Sequence, residues 1–436
     1  MMILHTTYLR SLRATVLLSA LMAFWSTDLV ARTEEPTLSI PRETPFKPVC
    51  VGWPEKDGCV ATISAALKNA KSNGTIYVRA GSGIADNLTI SKGVTICAAS
   101  QKDKCLQYPT EEAKFRLIRK DETRPCIKLN FTPRPGKVTI RGMEIRDIAD
   151  PGGTCIVNTK TNAGLSSVTL DRSVLEDAGL QLSGLARITI TRTTIAHTYA
   201  GGTRPTWTIN NAGSVDIRDG TSFFRTDLTI TNSPAALSFE SFEFATLNIN
   251  GAGASSVTGS EFRKAGLAIS GSAIRTIEGN WFADSVITLD HEGLVTFKDN
   301  VVETDPYREP ATGDATLLIA NGVNRISDNH FGSMCSGLPS EPGSTCECTR
   351  TPALQLAPPT AADRTTRIQG NEVCTNHPVW IGGGIGSDET VRDNCVTTYD
   401  RKVAGASRKY YGKSKIPPAS ELIVRLVREG QSSSCR

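Results

Sequence analysis

"VTGSEF" at 257–262, "IEGNWF" at 277–282 and "FKDNVV" at 297–302 are three variants of one motif, and their first residues lie twenty positions apart. The first apolar residue of the motif recurs along the chain at Ile140, Leu170, Ile190, Ile217, Leu237, Val257, Ile277, Phe297, Ile326, Ile368 and Val391. The four steps from Ile217 to Phe297 are twenty residues each, and longer steps flank them, as insertions would produce. A period of this length is typical of proteins whose units stack on one another.

Each unit is predicted to consist of short strands. A second apolar column follows five residues after the first, at Phe242, Phe262, Phe282 and Val302. Segments such as "TLNIN" (246–250) and "VITLD" (286–290) alternate apolar and polar residues, which indicates strands rather than helix. Three brief strands and three turns fill one unit, and a unit can bury its apolar residues only by stacking on the next. The sequence therefore predicts an all-β fold, a parallel β-helix or β-solenoid.

Asparagine occupies the turn of the motif in the later units. Asn280, Asn300, Asn329, Asn371 and Asn394 all stand three residues after the apolar mark. Asparagine tolerates the left-handed backbone of a sharp corner, and stacked amides can bond to one another along a column. We interpret these residues as structural corners rather than as a ligand site.

The stretch "TISAALKNAKSNGTIYVRAGSGIADNLTISKGVTICAAS" at 62–100 resembles the start of the right-handed parallel β-helix proteins of the pectin-lyase-like superfamily. The resemblance covers about residues 60 to 400 and implies a right-handed solenoid with an N-terminal capping helix. Ile63, Ala66, Leu67 and Ala70 form one apolar helical face that could cover an open end of the stack. The resemblance carries over no catalytic residue, since the motifs of the polygalacturonases and the pectin methylesterases do not occur in this chain.

The predicted organisation has four parts. Residues 1–31 resemble a secretory signal peptide, with Arg10 and Arg13 before an apolar run of about a dozen residues. Residues 32–59 form an N-terminal linker or cap, residues 60–400 the parallel β-helix, and residues 401–436 a basic linker and a C-terminal helix containing Leu422 and Leu426. We therefore expect a secreted or periplasmic protein with no transmembrane segment after removal of the signal.

Charge and cysteine content narrow the partners and the compartment. With 48 basic and 44 acidic residues the chain is too balanced to favour a nucleic-acid partner. In an exported chain the twelve cysteines predict disulfides before metal ligands. Cys126 and Cys155 begin equivalent strands of adjacent units and should be bonded; Cys50 with Cys59, and Cys97 with Cys105, are the expected local pairs. No metal site and no cofactor is expected.

A polar row is predicted on the outside of the first strand of each unit. It comprises Lys128, Gln181, Thr208, Thr229, Asn248, Ala268 and Thr288. These side chains can bond to sugar hydroxyls, but the row lacks the carboxylates that a calcium-dependent lyase or a hydrolase would need. The polar members of the row are candidate substrate-binding residues.

Two clusters are candidate catalytic sites. Asp290, His291 and Glu292 are expected in the turn after a first strand, where acid, base and water could meet; the alternative is a solvated polar turn. Asp147, Asp177 and His197 stand seven residues after their marks, so Asp177 and His197 should be neighbours on adjacent strands. A carboxylate beside an imidazole suits a general base, and the alternative is an exposed charge pair at a strand end.

The sequence thus leaves two classes of function open. One is an exported enzyme acting on polysaccharide, a lyase or a glycoside hydrolase. The other is a non-catalytic β-helix protein that binds carbohydrate or serves a structural or adhesive role. A fold shared with enzymes does not decide between them.

Overall fold

The computed structural model describes residues 49–54, 58–131, 135–146, 153–158, 165–198, 204–304, 317–333, 354–356, 366–374, 381–383, 390–392, 394–398 and 422–426. These residues are mostly β, and nearly all strand pairs are parallel; the strands fall into one sheet of 25 strands and one of 14. The long parallel sheets are consistent with the predicted β-solenoid.

The strands are short, and their bounds follow in chain order. Strands β1 to β10 span Val49–Val51, Gly74–Arg79, Gly83–Asp86, Leu88–Ile90, Val94–Gln101, Lys104–Cys105, Phe115–Arg119, Ile127–Leu129, Lys137–Arg141 and Met143–Arg146. Strands β11 to β20 span Thr154–Asn158, Ser167–Asp171, Val174–Glu176, Gly179–Ser183, Arg187–Thr191, Thr194–Ala196, Thr206–Asn210, Val215–Arg218, Ser222–Phe224 and Asp227–Thr231. Strands β21 to β30 span Ala235–Ser238, Ser241–Glu243, Thr246–Asn250, Ser255–Thr258, Glu261–Arg263, Gly266–Gly271, Arg275–Glu278, Trp281–Ala283, Val286–Lys298 and Val301–Thr304. Strands β31 to β39 span Leu317–Ser327, His330–Ser333, Leu354–Leu356, Thr366–Gln369, Glu372–Cys374, Ile381–Gly383, Thr390–Arg392, Asn394–Thr398 and Leu422–Leu426.

Successive strands of a unit belong to three faces. In the regular middle of the chain the first, second and third strands of one unit pair only with the first, second and third strands of the next; for example, β20, β21 and β22 pair with β23, β24 and β25. We call these the first, second and third faces, and one unit a coil. The first and second faces share one sheet because β29 and β31 run through both of them. The third face is the sheet of 14 strands.

Aromatic rings fill the inside of the third face. Phe242, Phe262 and Phe282 are fully buried, and their ring centroids stack at 4.8 and 4.7 Å. Phe223 continues the stack at 4.8 Å from Phe242. The predicted inward phenylalanine column is therefore confirmed, and its spacing equals the distance between neighbouring strands.

The asparagine corners form the predicted ladder. Nδ2 of Asn280 donates to Oδ1 of Asn300 at 2.9 Å, and the same bond joins Asn300 to Asn329 and Asn329 to Asn371 at 3.0 and 2.9 Å. All four residues are buried. The side chain of the fifth predicted corner, Asn394, lies outside the described residues.

The helix α1 spans Ile63–Asn69, where the sequence predicts one. Thr62 begins it, and its hydroxyl accepts a hydrogen bond from the backbone N–H of Ala65 at 3.1 Å, as a helix N-cap does. Ile63, Ala66 and Leu67 are buried, and the helix contacts β1, β2, β3 and β4. A 3₁₀ turn, Glu111–Ala113, is the other helical element among the described residues.

Three disulfides join the predicted pairs. Cys50 is bonded to Cys59, Cys97 to Cys105, and Cys126 to Cys155. The last of these links adjacent coils, with a Cα–Cα distance of 4.8 Å that matches the strand spacing. The six bonded cysteines lie between residues 50 and 155, where the coils are interrupted by long insertions.

The predicted C-terminal helix is wrong at its centre. Residues Leu422–Leu426 form strand β39, which pairs in parallel with β38 on the third face. The segment "LIVRL" is rich in strand-forming residues, and the free edge of β38 offers backbone hydrogen bonds that an isolated short helix would lack. The signal peptide at 1–31 and the basic linker at 401–415 lie outside the described residues. Among those that are described, no helix is long and apolar enough to cross a membrane.

Candidate functional site

The outward side chains of the first face form one continuous row. Strand register aligns Thr89, Lys128, Val157, Gln181, Thr208, Thr229, Asn248, Ala268 and Thr288. We call this the outward row; all of its members are partly or fully exposed. The order predicted from the sequence is correct except that Val157 lies between Lys128 and Gln181. A register shift between Thr154 and Ile156 displaces that strand, so the repeat did not reveal it.

A cavity of about 400 Å³ opens beside the C-terminal end of the outward row. Ala268 and Thr288 of the row contribute to its wall, together with Phe244 and the cationic side chains of Arg204 and Lys264. We call this cavity the rim pocket. It brings together an aromatic ring, two positive charges and the hydroxyl groups of Thr246 and Thr288, and a few convergent polar groups of this kind are what a site for a polar ligand needs.

Cations and aromatic rings alternate around the turn that leads into the first face. Nη1 of Arg204 donates to the backbone carbonyl of Phe244 at 3.0 Å. The guanidinium of Arg225 lies over the rings of Phe224 and Phe244, 5.0 and 5.7 Å from their centroids, and Nζ of Lys264 lies 5.7 Å from the Phe244 centroid. We call Arg204, Arg225 and Lys264 the cationic rim. Among the described residues none of the three forms an ion pair with a carboxylate.

Backbone geometry explains why these side chains face outward. Arg225, Phe244 and Lys264 have φ values of 51°, 51° and 47°, in the left-handed region that non-glycine residues seldom adopt. Each stands at the turn between the third strand of one coil and the first strand of the next. Phe244 and Lys264 lie seven residues after the marks Leu237 and Val257, in the column that already contains Asp177 and His197. Extending that column forward would have identified them.

Asp177 and His197 are neighbours, as predicted, in the same turn column. Nδ1 of His197 lies 2.7 Å from Oδ1 of Asp177, and both side chains are buried, so the pair is not an exposed charge pair at a strand end. The backbone N–H of His197 donates to the carbonyl of Phe224 at 2.9 Å, which places the pair directly before the cationic rim. Asp147, the third residue predicted for this column, lies outside the described residues.

The hydrogen bonds of Asp177 fix the imidazole of His197 in one state. Oδ1 of Asp177 also accepts from the backbone N–H of Thr198 at 2.9 Å, and Oδ2 accepts from the Thr198 hydroxyl at 2.9 Å. A carboxylate surrounded by donors holds the proton of His197 on Nδ1. Nε2 makes no hydrogen bond to a described residue, and the His197 side chain as a whole is only 4% exposed. Nε2 is therefore the ring nitrogen that is left without a proton.

Asp290, His291 and Glu292 do not converge, which corrects the prediction of a polar turn. All three lie within the continuous strand β29, where side chains alternate between the two sides of the sheet. Asp290 and Glu292 are exposed, whereas His291 is buried and its Nε2 lies 3.0 Å from Oδ1 of Asn324. The expected turn is absent because β29 keeps pairing with β26 through Gly271 and His291. Acid and base therefore point to opposite sides.

Metal binding finds no support in the described part of the chain. No group of three or more His, Cys, Asp or Glu side chains there is placed to hold an ion. No protein-family model matches the chain, and no curated protein matches it.

Proposed function

We propose that the protein binds a polysaccharide along the outward row and holds an anionic group of that chain at the cationic rim. From Gln181 to Asn248 the row offers hydroxyl and amide groups at regular intervals of about 4.8 Å, which suits a ligand that is itself an extended polar repeat. Phe244 provides an apolar surface beside the row.

The rim pocket is the observation that carries this proposal. Positive charges on a folded protein usually lie near carboxylates, yet Arg204 and Lys264 line the pocket and neither forms an ion pair among the described residues. A carboxylate or sulfate on a sugar would form ion pairs with both side chains, and the planar guanidinium of Arg204 is suited to either group. Neutral polysaccharides would use only the row and would bind more weakly.

The handedness of the fold and the capping role of α1 are part of the same proposal. The parallel stacking, the three faces per coil and the helix α1 before the first coils support a right-handed β-helix of the pectin-lyase-like type, with α1 covering the N-terminal end. The three disulfides support an oxidising compartment, in keeping with export directed by residues 1–31.

A second candidate function is enzymatic, and the buried Asp177–His197 pair favours it. With the proton on Nδ1 its Nε2 keeps a free lone pair, and the cations of the rim begin one coil further on. Hydrolysis of a glycosidic bond needs two carboxyl groups, but Asp177 is occupied by three donors and Glu176 is paired with Arg146 at 2.9 Å. A lyase needs one base and positive charge beside a uronate, so within this class elimination fits better than hydrolysis.

Binding to purified polymers tests the first candidate. The chain without residues 1–31 should bind pectate or alginate more tightly than a neutral glycan, and added salt should weaken binding to the acidic polymers. Replacing Arg204 and Lys264 together by glutamine should lower that affinity at least fivefold. Arg187→Gln is the matched control, because Arg187 lies on the second face and pairs with Asp216.

The outcomes separate the candidates. Equal affinity for acidic and neutral polymers, or an unchanged affinity in the Arg204 and Lys264 variant, would contradict binding at the rim. Release of unsaturated sugar ends, detected by their ultraviolet absorbance, would establish the enzymatic candidate. Binding without turnover on any polymer would favour the non-catalytic one.

A further inference from the structure

A second polar cavity, of about 640 Å³, lies at the opposite end of the outward row. Thr89, the first member of the row, contributes to its wall, and so does Lys68 on helix α1. Lys92, Lys120 and Arg124 add three further positive charges. We call this cavity the N-terminal pocket. The repeat does not predict this pocket, because its residues come from the helix, the first coil and the insertion before β8.

Hydrogen bonds immobilise the floor of the N-terminal pocket. Asp86 accepts from the backbone N–H and the hydroxyl of Ser64 at 2.7 and 2.8 Å, and from the backbone N–H of Asn87 at 2.9 Å. The amide of Asn87 donates to the carbonyls of Asp121, Arg124 and Pro125 and accepts from the backbone N–H of Asp121 at 2.7 Å. The cavity is thus a fixed feature of the first coil and not a gap between loose side chains.

The two carboxylates of the pocket form no ion pair with its cations among the described residues. Asp86 is buried and its oxygens are taken by the three donors from Ser64 and Asn87. Oδ1 of Asp121 accepts from the backbone N–H and the hydroxyl of Thr123 at 3.0 and 2.7 Å. Lys68, Lys120 and Arg124 form no ion pair within the described residues. In the described part of the chain three positive charges therefore surround the cavity without an ion-pair partner, although the charge of Arg124 still interacts with that of Asp121.

We propose that the N-terminal pocket is a second anion site, which binds a carboxylate or sulfate of the same polysaccharide chain that occupies the rim pocket. The inference rests on the proposed function and adds a requirement for chain length. Thr89 and Thr288 are eight strand steps apart along the outward row, and steps of about 4.8 Å place the two pockets roughly 38 Å from each other. The uncharged middle of the row lies between them.

A ligand that reaches both pockets gains affinity from the second contact without paying again for association. Binding at the second site is then intramolecular, and affinity should rise steeply once the ligand is long enough to span the distance. Shorter anionic oligomers can occupy either pocket alone. We expect affinity to increase at least tenfold across the length that spans about 38 Å.

Calorimetry with ligands of defined length tests this inference. One series is oligogalacturonates, which carry carboxylates alone, and the other is heparin fragments, which carry sulfates as well. The unaltered protein is compared with Lys120→Gln/Arg124→Gln, with Arg204→Gln/Lys264→Gln, and with Lys104→Gln as a control outside both pockets. Changing either pocket should remove the tenfold gain for long ligands, while short ligands should still bind to the pocket that remains.

Each outcome decides a separate point. A smooth rise in affinity with length, or a gain for long ligands that survives in Lys120→Gln/Arg124→Gln, would overturn the second site while leaving the rim pocket intact. Failure of every anionic ligand to bind would overturn the proposed function and the second site together. Whichever of the two series shows the step identifies the anionic group that the pockets accept.

Discussion

The backbone N–H of Glu240 donates to Oγ of Ser260 at 3.2 Å, and the N–H of Ser260 donates in turn to Oδ1 of Asn280 at 2.9 Å. Glu240 and Ser260 thus extend the asparagine ladder towards the N-terminus, three residues after the marks Leu237 and Val257. Glu240 is only 2% exposed, and neither of its carboxyl oxygens has a hydrogen-bond partner. A titratable acid occupies a position where the later coils have a neutral amide.

Glu240 should make the stability of the protein depend on pH. Burial raises the pKa of its carboxyl group to about 8, with Asp219 and Asp216 adding to the effect; the N–H and hydroxyl of Thr221 oppose it but form no well-directed bond. Because the pKa in the folded state lies above the unfolded value of 4.5, this contribution to stability is complete below pH 4.5 and is lost as pH rises through about 8. The loss should reach up to about 5 kcal/mol.

Urea unfolding of Glu240→Gln between pH 4 and 9 measures this effect. Glutamine is neutral and has nearly the same shape, so the variant should lack this part of the pH dependence and should be more stable than the unaltered protein at pH 8. Glu243→Gln serves as the control, because Glu243 ends strand β22, which directly follows Glu240. If the unfolding free energies of the unaltered protein and of Glu240→Gln changed with pH in parallel, Glu240 would not be a neutral buried acid.

Asn300 should be among the least replaceable polar residues of the ladder. Its Nδ2 donates to the carbonyl of Ile277 and to Oδ1 of Asn329, at 2.9 and 3.0 Å, and its Oδ1 accepts from the N–H and the side chain of Asn280 at 3.0 and 2.9 Å. Asn300→Ala would leave these buried partners unsatisfied and should cost at least about 2 kcal/mol of unfolding free energy. The exposed neighbour Asp299, changed to alanine, should cost much less; equal losses would argue against the ladder.

Phe262 lies between two stacked rings, and its removal should create a cavity. Its centroid is 4.8 Å from that of Phe242 and 4.7 Å from that of Phe282. Phe262→Ala should cost about 3–5 kcal/mol in unfolding free energy, measured with denaturant, and Phe262→Leu clearly less because it fills part of the space. A loss below about 1 kcal/mol for the alanine variant would mean that the coils can collapse around the site.

The repeat predicts the parts of the fold that depend on stacking. Residues such as Phe262 and Asn300 repeat at a fixed interval because each coil must bury and bond the same positions as its neighbour, so their columns can be read from the sequence. The outward row follows for the same reason, up to the register shift that hid Val157. The two pockets are harder to predict from the sequence, since they depend on turns and insertions that interrupt the repeat.

Departures from the column pattern could not be anticipated from composition alone. Arg275 begins β27 with a buried side chain, between Ser255 and Val295 in the neighbouring coils, and a charged residue at that position gives no sign of pointing inward. The sequence predicts a turn at His291 because it directly follows the first strand of its unit, whereas the continued pairing of β29 decides its environment. Segment 422–426 was expected to be helical from its apolar spacing, and the free edge of β38 makes it a strand. In each case tertiary pairing outweighs the local pattern.

The contact between Asp177 and His197 predicts which ring nitrogen of His197 carries the proton. If Asp177 holds the proton of the imidazole on Nδ1, nitrogen-15 NMR at neutral pH should show the neutral ring protonated at Nδ1 and bare at Nε2. Asp177→Ala removes the acceptor and should abolish this preference, while His291, bonded through Nε2 to Asn324, should be unchanged and serves as the internal reference.

The same pair then connects structure with activity. On any acidic polymer that the protein cleaves, His197→Ala should lower kcat by about 10²- to 10⁴-fold with little change in affinity, because the base acts on the reacting atoms and not on the bound chain. Asp177→Asn should lower kcat less and should alter the pH profile of turnover, as expected of a residue that positions the base. Turnover that survives in His197→Ala would assign the chemistry to another part of the protein, and a proton found on Nε2 in the unaltered protein would exclude His197 as the base at neutral pH.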